Sequence, residues 1–150
     1  MMNDWVENEQ CSAHPLRFLV VESSLGIRIL IRMHLLELKH LVDMAGDDDS
    51  ARELAFMRVY DFILVDKNLN CHELIDQIQK NSVLNNHTPM IILTSNPNQE
   101  NLHDSATYFK KPISKKDAVQ LLDFVKNIKK TLVRGFSTEH QLAVVVSRAI

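Results

Sequence analysis

The sequence predicts an α/β protein: one doubly wound, five-stranded parallel sheet covered by helices on both faces. Three observations point there. Four apolar runs of strand length each lead into a polar residue: LRFLVVES at 16–23, YDFILVDKN at 60–68, PMIILTS at 89–95 and YFKKP at 108–112. Helical apolar patterns separate the runs, and no hairpin signal joins neighbouring strands. The runs also lack the in–out alternation of a sheet with one wet face. In such a sheet Glu22, Asp66, Thr94 and Lys111 converge at the carboxyl ends of the strands. That edge is where open α/β sheets place their chemistry. An acid pair, a hydroxyl and a lysine there suggest a phosphoryl site.

Each element has a local reason. Strand one is expected over Arg17–Val21. Helix one follows from about Leu25 to His40, with Ser23 or Ser24 as its N-cap. A short strand is expected at Leu41–Ala45, then a turn over Gly46–Ser50, with Asp49 or Ser50 capping a helix over about 51–58. Strand three is Phe62–Val65, helix three about His72–Gln79, and strand four Met90–Leu93. The polar stretch SNPNQENLHDSA at 95–106 allows only a short helix before strand five at 107–110. Ser114 caps the last helix, in which Ala118, Leu121, Leu122, Val125, Ile128 and Leu132 keep helical spacing. Gly135 is a plausible stop for it.

The 150 residues fit one domain with a sizeable core. Residues 1–15 read as a flexible N-terminal segment, 16–134 as the domain, and 135–150 as a C-terminal extension with helical potential. Hydrophobic content of 45% and charged content of 24% are those of an ordinary soluble protein. Net charge is only −2, but residues 1–109 carry eight Lys/Arg against sixteen Asp/Glu, and 110–150 carry nine against three. The basic end reads as a solvated helix face, which argues against nucleic acid as a partner. Cys11 and Cys71 have no CxxC or histidine in metal spacing, so free thiols in a cytoplasmic setting are expected. No signal peptide or bilayer-spanning run is visible, so no membrane role is expected. With three glycines and no glycine-rich phosphate loop, a nucleotide-binding enzyme has little support.

The order of motifs resembles the receiver domain of bacterial two-component response regulators, of the chemotaxis type, over about residues 16–130. LRFLVVESSLGIRILIRMHLLEL is similar to the opening of such receivers, YDFILVDKN to their acceptor strand, PMIILTS to their switch-hydroxyl strand, and YFKKP to their lysine–proline pair. The resemblance implies a flavodoxin-like receiver fold and gives each matched residue a role. Asp66 is then the phospho-acceptor, Lys111 the cation that pairs with it and with phosphoryl oxygens, and Thr94 the switch hydroxyl. Tyr108 is the aromatic that changes rotamer as Thr94 moves. The implied cofactor is Mg²⁺, held by Asp66, the backbone carbonyl of Asn68 and, through water, Glu22.

The chain departs from that pattern in three places. Ser23 stands in place of the usual second, metal-binding carboxylate, so Mg²⁺ is expected to bind weakly. The loop DKNLNCHEL is short and lacks a proline and an Asp-Gly pair. The interval from Thr94 to Lys111 is 17 residues, which shortens the helix before strand five. Helix one carries two apolar stripes. Ile27, Leu30, Ile31, Leu35 and Leu38 face the sheet, and Leu25, Ile29, Met33 and Leu36 lie on the opposite side. A helix apolar on both sides needs covering on both, and the second stripe is expected to meet a helical partner, another subunit or the extension. His34 and His72 read as structural.

The expected function is a signal-transduction receiver that accepts a phosphoryl group on Asp66 and switches a protein–protein contact. It is not a conventional enzyme, since only self-catalysed aspartyl phosphorylation is implied. The expected partners are a histidine kinase or phosphotransfer protein, an output protein and a second copy as homodimer. The alternative is a pseudo-receiver, an adaptor or dimerisation module that works without phosphorylation.

Overall fold

The computed structural model describes residues 14–96 and 107–133, the last five of these by backbone alone. The segment 1–13, the stretch 97–106 expected to hold a stunted helix, and the extension 135–150 lie outside the described residues. The elements run β1 (Arg17–Val21), α1 (Leu25–Glu37), β2 (Leu41–Ala45), α2 (Asp48–Met57), β3 (Phe62–Asp66), α3 (Cys71–Asn81), β4 (Met90–Thr94), β5 (Thr107–Lys110) and α4 (Lys115–Val133). All strand pairs are parallel, in the order β2-β1-β3-β4-β5. β1 and β3 are therefore neighbours, and the chain reverses winding direction between them. A crevice forms at such a point, here beside the carboxyl ends of β1 and β3.

Alternate residues of each strand feed two cores. On one face Phe18, Val20, Phe62, Leu64, Ile91 and Leu93 pack with Ile31 and Leu35 of α1 and Leu121, Val125 and Ile128 of α4. On the other, Leu19, Val21, Ile63, Val65 and Ile92 pack with Ala51 and Ala55 of α2 and Leu74 and Ile78 of α3. β3 and β4 are buried at every position, which is why they read as continuous apolar runs.

The helix ends differ from expectation by a few residues. Ser24 caps α1, its side chain accepting from the Ile27 N–H. Asp47, earlier than the expected Asp49 or Ser50, caps α2 through the Ser50 N–H at 2.8 Å. The hydrogen bond and the nearby backbone amides hold the Asp47 carboxyl below its ordinary range. α1 stops at Glu37, short of the expected His40. The Lys39 N–H bonds to the Leu36 carbonyl and the His40 N–H to the Leu35 carbonyl. That is a Schellman closure, and its left-handed position is held by Lys39 at φ 73° rather than by glycine. Periodicity continued through Leu38, so nothing in the apolar pattern marked this stop. Leu30, expected to face the sheet, is instead 39% exposed, while Ile31 and Leu35 are fully buried.

His40 ties the start of β1 to the end of α1. The Leu16 N–H donates to His40 Nδ1 at 3.0 Å, and the ring sits edge-on to Phe18 at 5.8 Å. An accepting Nδ1 must be unprotonated. Burial, then the Lys126 charge, push the imidazole below its ordinary value of 6.5, with Asp61 opposing. The unfolded chain then binds a proton before the folded one as pH falls below 6.5, so stability declines in that window. Urea titrations should show the midpoint dropping as pH falls from about 6.5 towards 5. A His40→Gln variant, which cannot titrate, should lack that component of the slope.

Candidate functional site

Three buried ionisable side chains meet at the carboxyl edge of the sheet. Glu22 follows β1 directly. Its N–H extends the β1–β2 ladder to the Ala45 carbonyl at 3.0 Å, and its own carbonyl accepts from Arg28 Nη1 at 2.7 Å. Asp66 is the last residue of β3 and is wholly buried. Lys111 follows β5, its N–H bonding to the Thr94 carbonyl at 2.9 Å. The ladders thus deliver Glu22, Asp66 and Lys111 to one level.

Lys111 Nζ lies 2.9 Å from Glu22 Oε1 and 2.9 Å from Asp66 Oδ1. Asp66 Oδ1 also accepts the Asn68 N–H at 3.1 Å, and Oδ2 accepts the Ser23 hydroxyl at 3.0 Å. Glu22 Oε2 accepts the Ser24 N–H at 2.9 Å. Glu22 Oε1 faces Lys111 as an ion pair but has no well-directed hydrogen bond.

The charge states follow. Burial pushes the Asp66 carboxyl up, but the Asn68 amide, the Lys111 ammonium and the Ser23 hydroxyl together outweigh it and hold the group below its ordinary value. Burial pulls the Lys111 ammonium down, and the two carboxylates more than restore it, to above its ordinary value. At neutral pH the site is therefore two carboxylates and one ammonium, with a net charge of about −1.

The structure brings Glu22, Ser23, Asp66 and Lys111 together, with Asn68 in contact through its N–H. Thr94 ends β4 at the same edge and is buried, but its Oγ1 accepts the Asn96 N–H at 3.3 Å. Tyr108 stands opposite Ile92 in the β4–β5 register. Its ring lies in the core between the sheet and α3, and its hydroxyl is 3.4 Å from His72 Nε2. The second stripe of α1 is exposed: Leu25 59%, Ile29 52%, Met33 42% and Leu36 38%.

Sequence reasoning missed four supporting contacts: the Asn68 and Ser24 amides on the carboxylates, Arg28 on the Glu22 carbonyl, and His72 on Tyr108. The first two follow from chain turns immediately after a strand, which a residue pattern does not encode. Arg28 could have been found as the polar residue one helical turn after the Ser24 cap.

Magnesium can be tested against the donors present. All of them are oxygen, as a hard cation requires. Among the described residues, Oδ2 of Asp66 accepts from the hydroxyl of exposed Ser23, and buried Glu22 Oε1 lacks a directed donor, which a coordinated water would supply. The donors fit the ion, with one anionic ligand fewer than a pair of adjacent acids would give. Among the described residues no group of three or more His, Cys, Asp or Glu forms a metal cluster.

No protein-family model and no curated protein matches this chain. Solved structures do. The chemotaxis response regulator CheY4 of Vibrio cholerae is 22% identical, with a TM-score of 0.62 over 75% of this chain and 99% of that one. The receiver domain of a sensor histidine kinase from Pseudomonas aeruginosa PAO1 is also 22% identical, with a TM-score of 0.62 over 76% of this chain and 97% of that one. That domain is described with a magnesium ion coordinated in its active-site cleft. A CheY-like response regulator receiver domain from Methanospirillum hungatei is 18% identical, with a TM-score of 0.62 over 79% of this chain and 99% of that one. The chain has the fold of CheY-like receiver domains, a five-stranded parallel α/β sheet. Among the described residues no helix is long and apolar enough to cross a membrane.

Lys111 is the electrostatic centre of the site. Removing one partner of a buried charge group leaves uncompensated charge behind. Lys111→Met should cost about 3–5 kcal/mol of unfolding free energy at neutral pH. The cost should shrink on acidification, as Asp66 protonates. Chemical denaturation at neutral and acidic pH measures both.

Proposed function

We propose that this protein is a signalling receiver that takes a phosphoryl group on Asp66. The observation that carries the reading is the Glu22–Lys111–Asp66 cluster, buried at the switch point of a receiver fold. Asp66 is kept ionised and so is competent as a nucleophile. In the transfer its carboxylate oxygen bonds to phosphorus as the bond from phosphorus to the donor's nitrogen or oxygen breaks. Lys111 then faces the developing charge on the phosphoryl oxygens. Asn68 N–H and the Ser23 hydroxyl orient the carboxylate, and Thr94 is the hydroxyl at the same edge able to turn towards the new group. Mg²⁺, when bound, screens the repulsion between carboxylate and incoming phosphoryl oxygens. Asp66, the Asn68 carbonyl and, through water, Glu22 are the residues that would hold it.

The donor in this reading is a histidine kinase or phosphotransfer protein in the cytoplasm, and the output is a protein contact. The exposed Leu25–Ile29–Met33–Leu36 stripe is the natural candidate for such a contact. The chemistry is self-catalysed on the acceptor rather than that of a turnover enzyme.

One observation favours a second reading. Asp66 has no exposed surface, and Ser23 donates to the oxygen on the side where a second acid would otherwise draw a metal. A site closed in this way suits a pseudo-receiver that acts as an adaptor or dimer without phosphorylation.

Two measurements separate the readings. With acetyl phosphate or phosphoramidate and Mg²⁺, intact-mass analysis should show one added phosphoryl group, labile to hydroxylamine and absent in Asp66→Asn. No mass gain with any donor, together with unchanged partner binding by Asp66→Asn, selects the adaptor. Ser23→Asp restores an anionic oxygen and makes the bare site about −2. It should tighten Mg²⁺ binding by about tenfold or more, read as amide shifts in an NMR titration. No tightening would count against a metal-competent pocket.

A further inference from the structure

We propose that Arg28 is a positioning residue for the candidate phosphoryl site, and that Gly46 belongs to the same device by leaving room for it. Arg28 fixes the main chain of Glu22 and, through it, the place where the Glu22 carboxylate meets Lys111. The effect on phosphoryl binding rests on the receiver reading above; the geometry does not.

Three hydrogen bonds close a ring over residues 22–28. Glu22 Oε2 accepts the Ser24 N–H at 2.9 Å. The Ser24 carbonyl accepts the Arg28 N–H at 2.9 Å, at the start of α1. Arg28 Nη1 then returns to the Glu22 carbonyl at 2.7 Å. Glu22 is thus gripped at both its carboxylate and its carbonyl by the beginning of one helix. The other carboxylate oxygen, Oε1, lies 2.9 Å from Lys111 Nζ, so the ring sets one wall of the charge cluster.

A particular glycine makes the ring possible. The β1–β2 register pairs Val21 with Ala45, which puts Gly46 next, opposite Glu22. Ala45 faces the α2–α3 core, and side chains alternate along a strand, so a side chain at position 46 would point to the α1 face. The half-buried Arg28 arm occupies that space. A methyl group on Gly46 would stand 2.5 Å from Arg28 Nη1, 3.2 Å from Cζ and 3.5 Å from Nη2. The first distance is far inside van der Waals contact. The obstacle is the end of a flexible side chain, so the low-cost adjustment is for the guanidinium to swing away and give up the Glu22 carbonyl. In a longer parallel ladder that carbonyl would accept from the neighbouring strand. β2 ends at Ala45, and the arginine, with its fork of donors, supplies the bond instead. The Gly46 backbone lies outside the left-handed region, so alanine suits its conformation and only the space is lost.

The experiment uses the full chain with Gly46→Ala, Arg28→Met, the double variant, and Arg32→Met as a control from the exposed part of α1. Gly46→Ala keeps every charge and fills only the space. Arg28→Met keeps an aliphatic stem and removes the guanidinium. In ¹H–¹⁵N spectra the Ser24 amide proton should move upfield in both single variants, as its bond to the Glu22 carboxylate loosens, and stay in place in Arg32→Met. Urea midpoints complete the cycle. Gly46→Ala should lower the midpoint of the wild type. In the Arg28→Met background it should raise the midpoint or leave it unchanged, because the methyl then meets no guanidinium and replaces a glycine. An unmoved Ser24 amide in either single variant, the same midpoint shift in both backgrounds, or an equal amide shift in Arg32→Met overturns the proposal.

Beryllofluoride with Mg²⁺ reads the consequence for the site. Gly46→Ala should weaken its binding by about three- to tenfold, the worth of one hydrogen bond, and Arg32→Met should not. Unweakened binding in Gly46→Ala overturns the positioning role. If the wild type itself does not bind the probe, the phosphoryl reading of Asp66 fails, while the Ser24 amide and the midpoints still decide the ring.

Discussion

The Lys111 ammonium, placed between two buried carboxylates, is the interaction on which the rest of the site depends. Each of these charges loses several kcal/mol of hydration on burial. Coulomb attraction at 2.9 Å offsets much of that loss, but only because backbone amides of Ser24 and Asn68 and the Ser23 hydroxyl satisfy the remaining oxygens. Such a cluster is a poor source of stability, because an apolar trio of equal volume would serve as well or better. What it does supply is an ionised carboxylate in a dry place at the end of a central strand. That property has chemical use and little structural use.

The fold places the cluster without strain. β1 and β3 are adjacent and β5 lies two strands beyond β3, so the cation on the β5 side needs a long side chain to reach the centre. Glutamate and lysine have that reach, and aspartate, on the central strand, does not need it. This explains why the acid on β1 can be one methylene longer than an aspartate and still meet the same ammonium. The longer arm also turns Glu22 Oε2 back to the Ser24 amide, so the residue that starts α1 is fastened to the site it borders. Arg28 completes the joint by reaching from α1 to the Glu22 carbonyl. Both contacts tie the carboxylate site to α1, which carries the exposed apolar stripe.

Much of this architecture was legible in the sequence because burial on both faces leaves long apolar runs, and because parallel strands end where their polar residues begin. Phe62–Val65 and Met90–Leu93 could hardly be anything else, and their ends put Asp66 and Thr94 at one edge. The stripes of α1 followed from spacing, except at Leu30. That position sits at the margin of the buried arc, where a few degrees of helix rotation decide exposure. The helix stops were harder. Lys39 in a left-handed conformation gives no compositional sign, since any residue can be forced there when a Schellman closure and the His40–Leu16 bond fix the chain. The Ser24 and Asn68 partners of the carboxylates were illegible for a similar reason. They are backbone amides, and the backbone is the same at every residue.

His72 shows where pattern reasoning reaches its limit. In sequence it is 36 residues from Tyr108, on a different element of the fold. No spacing rule joins a helix's first turn to a strand two elements away. Only the sheet order, β3 beside β4 beside β5, brings α3 to the β5 side and sets an imidazole over a phenol. The same topology that gathers Glu22, Asp66 and Lys111 at the edge thus creates a polar contact at the rim of the core behind them. The two are physically continuous. The loop from Lys67 to Asn70 joins β3, which ends in Asp66, to α3, which bears His72.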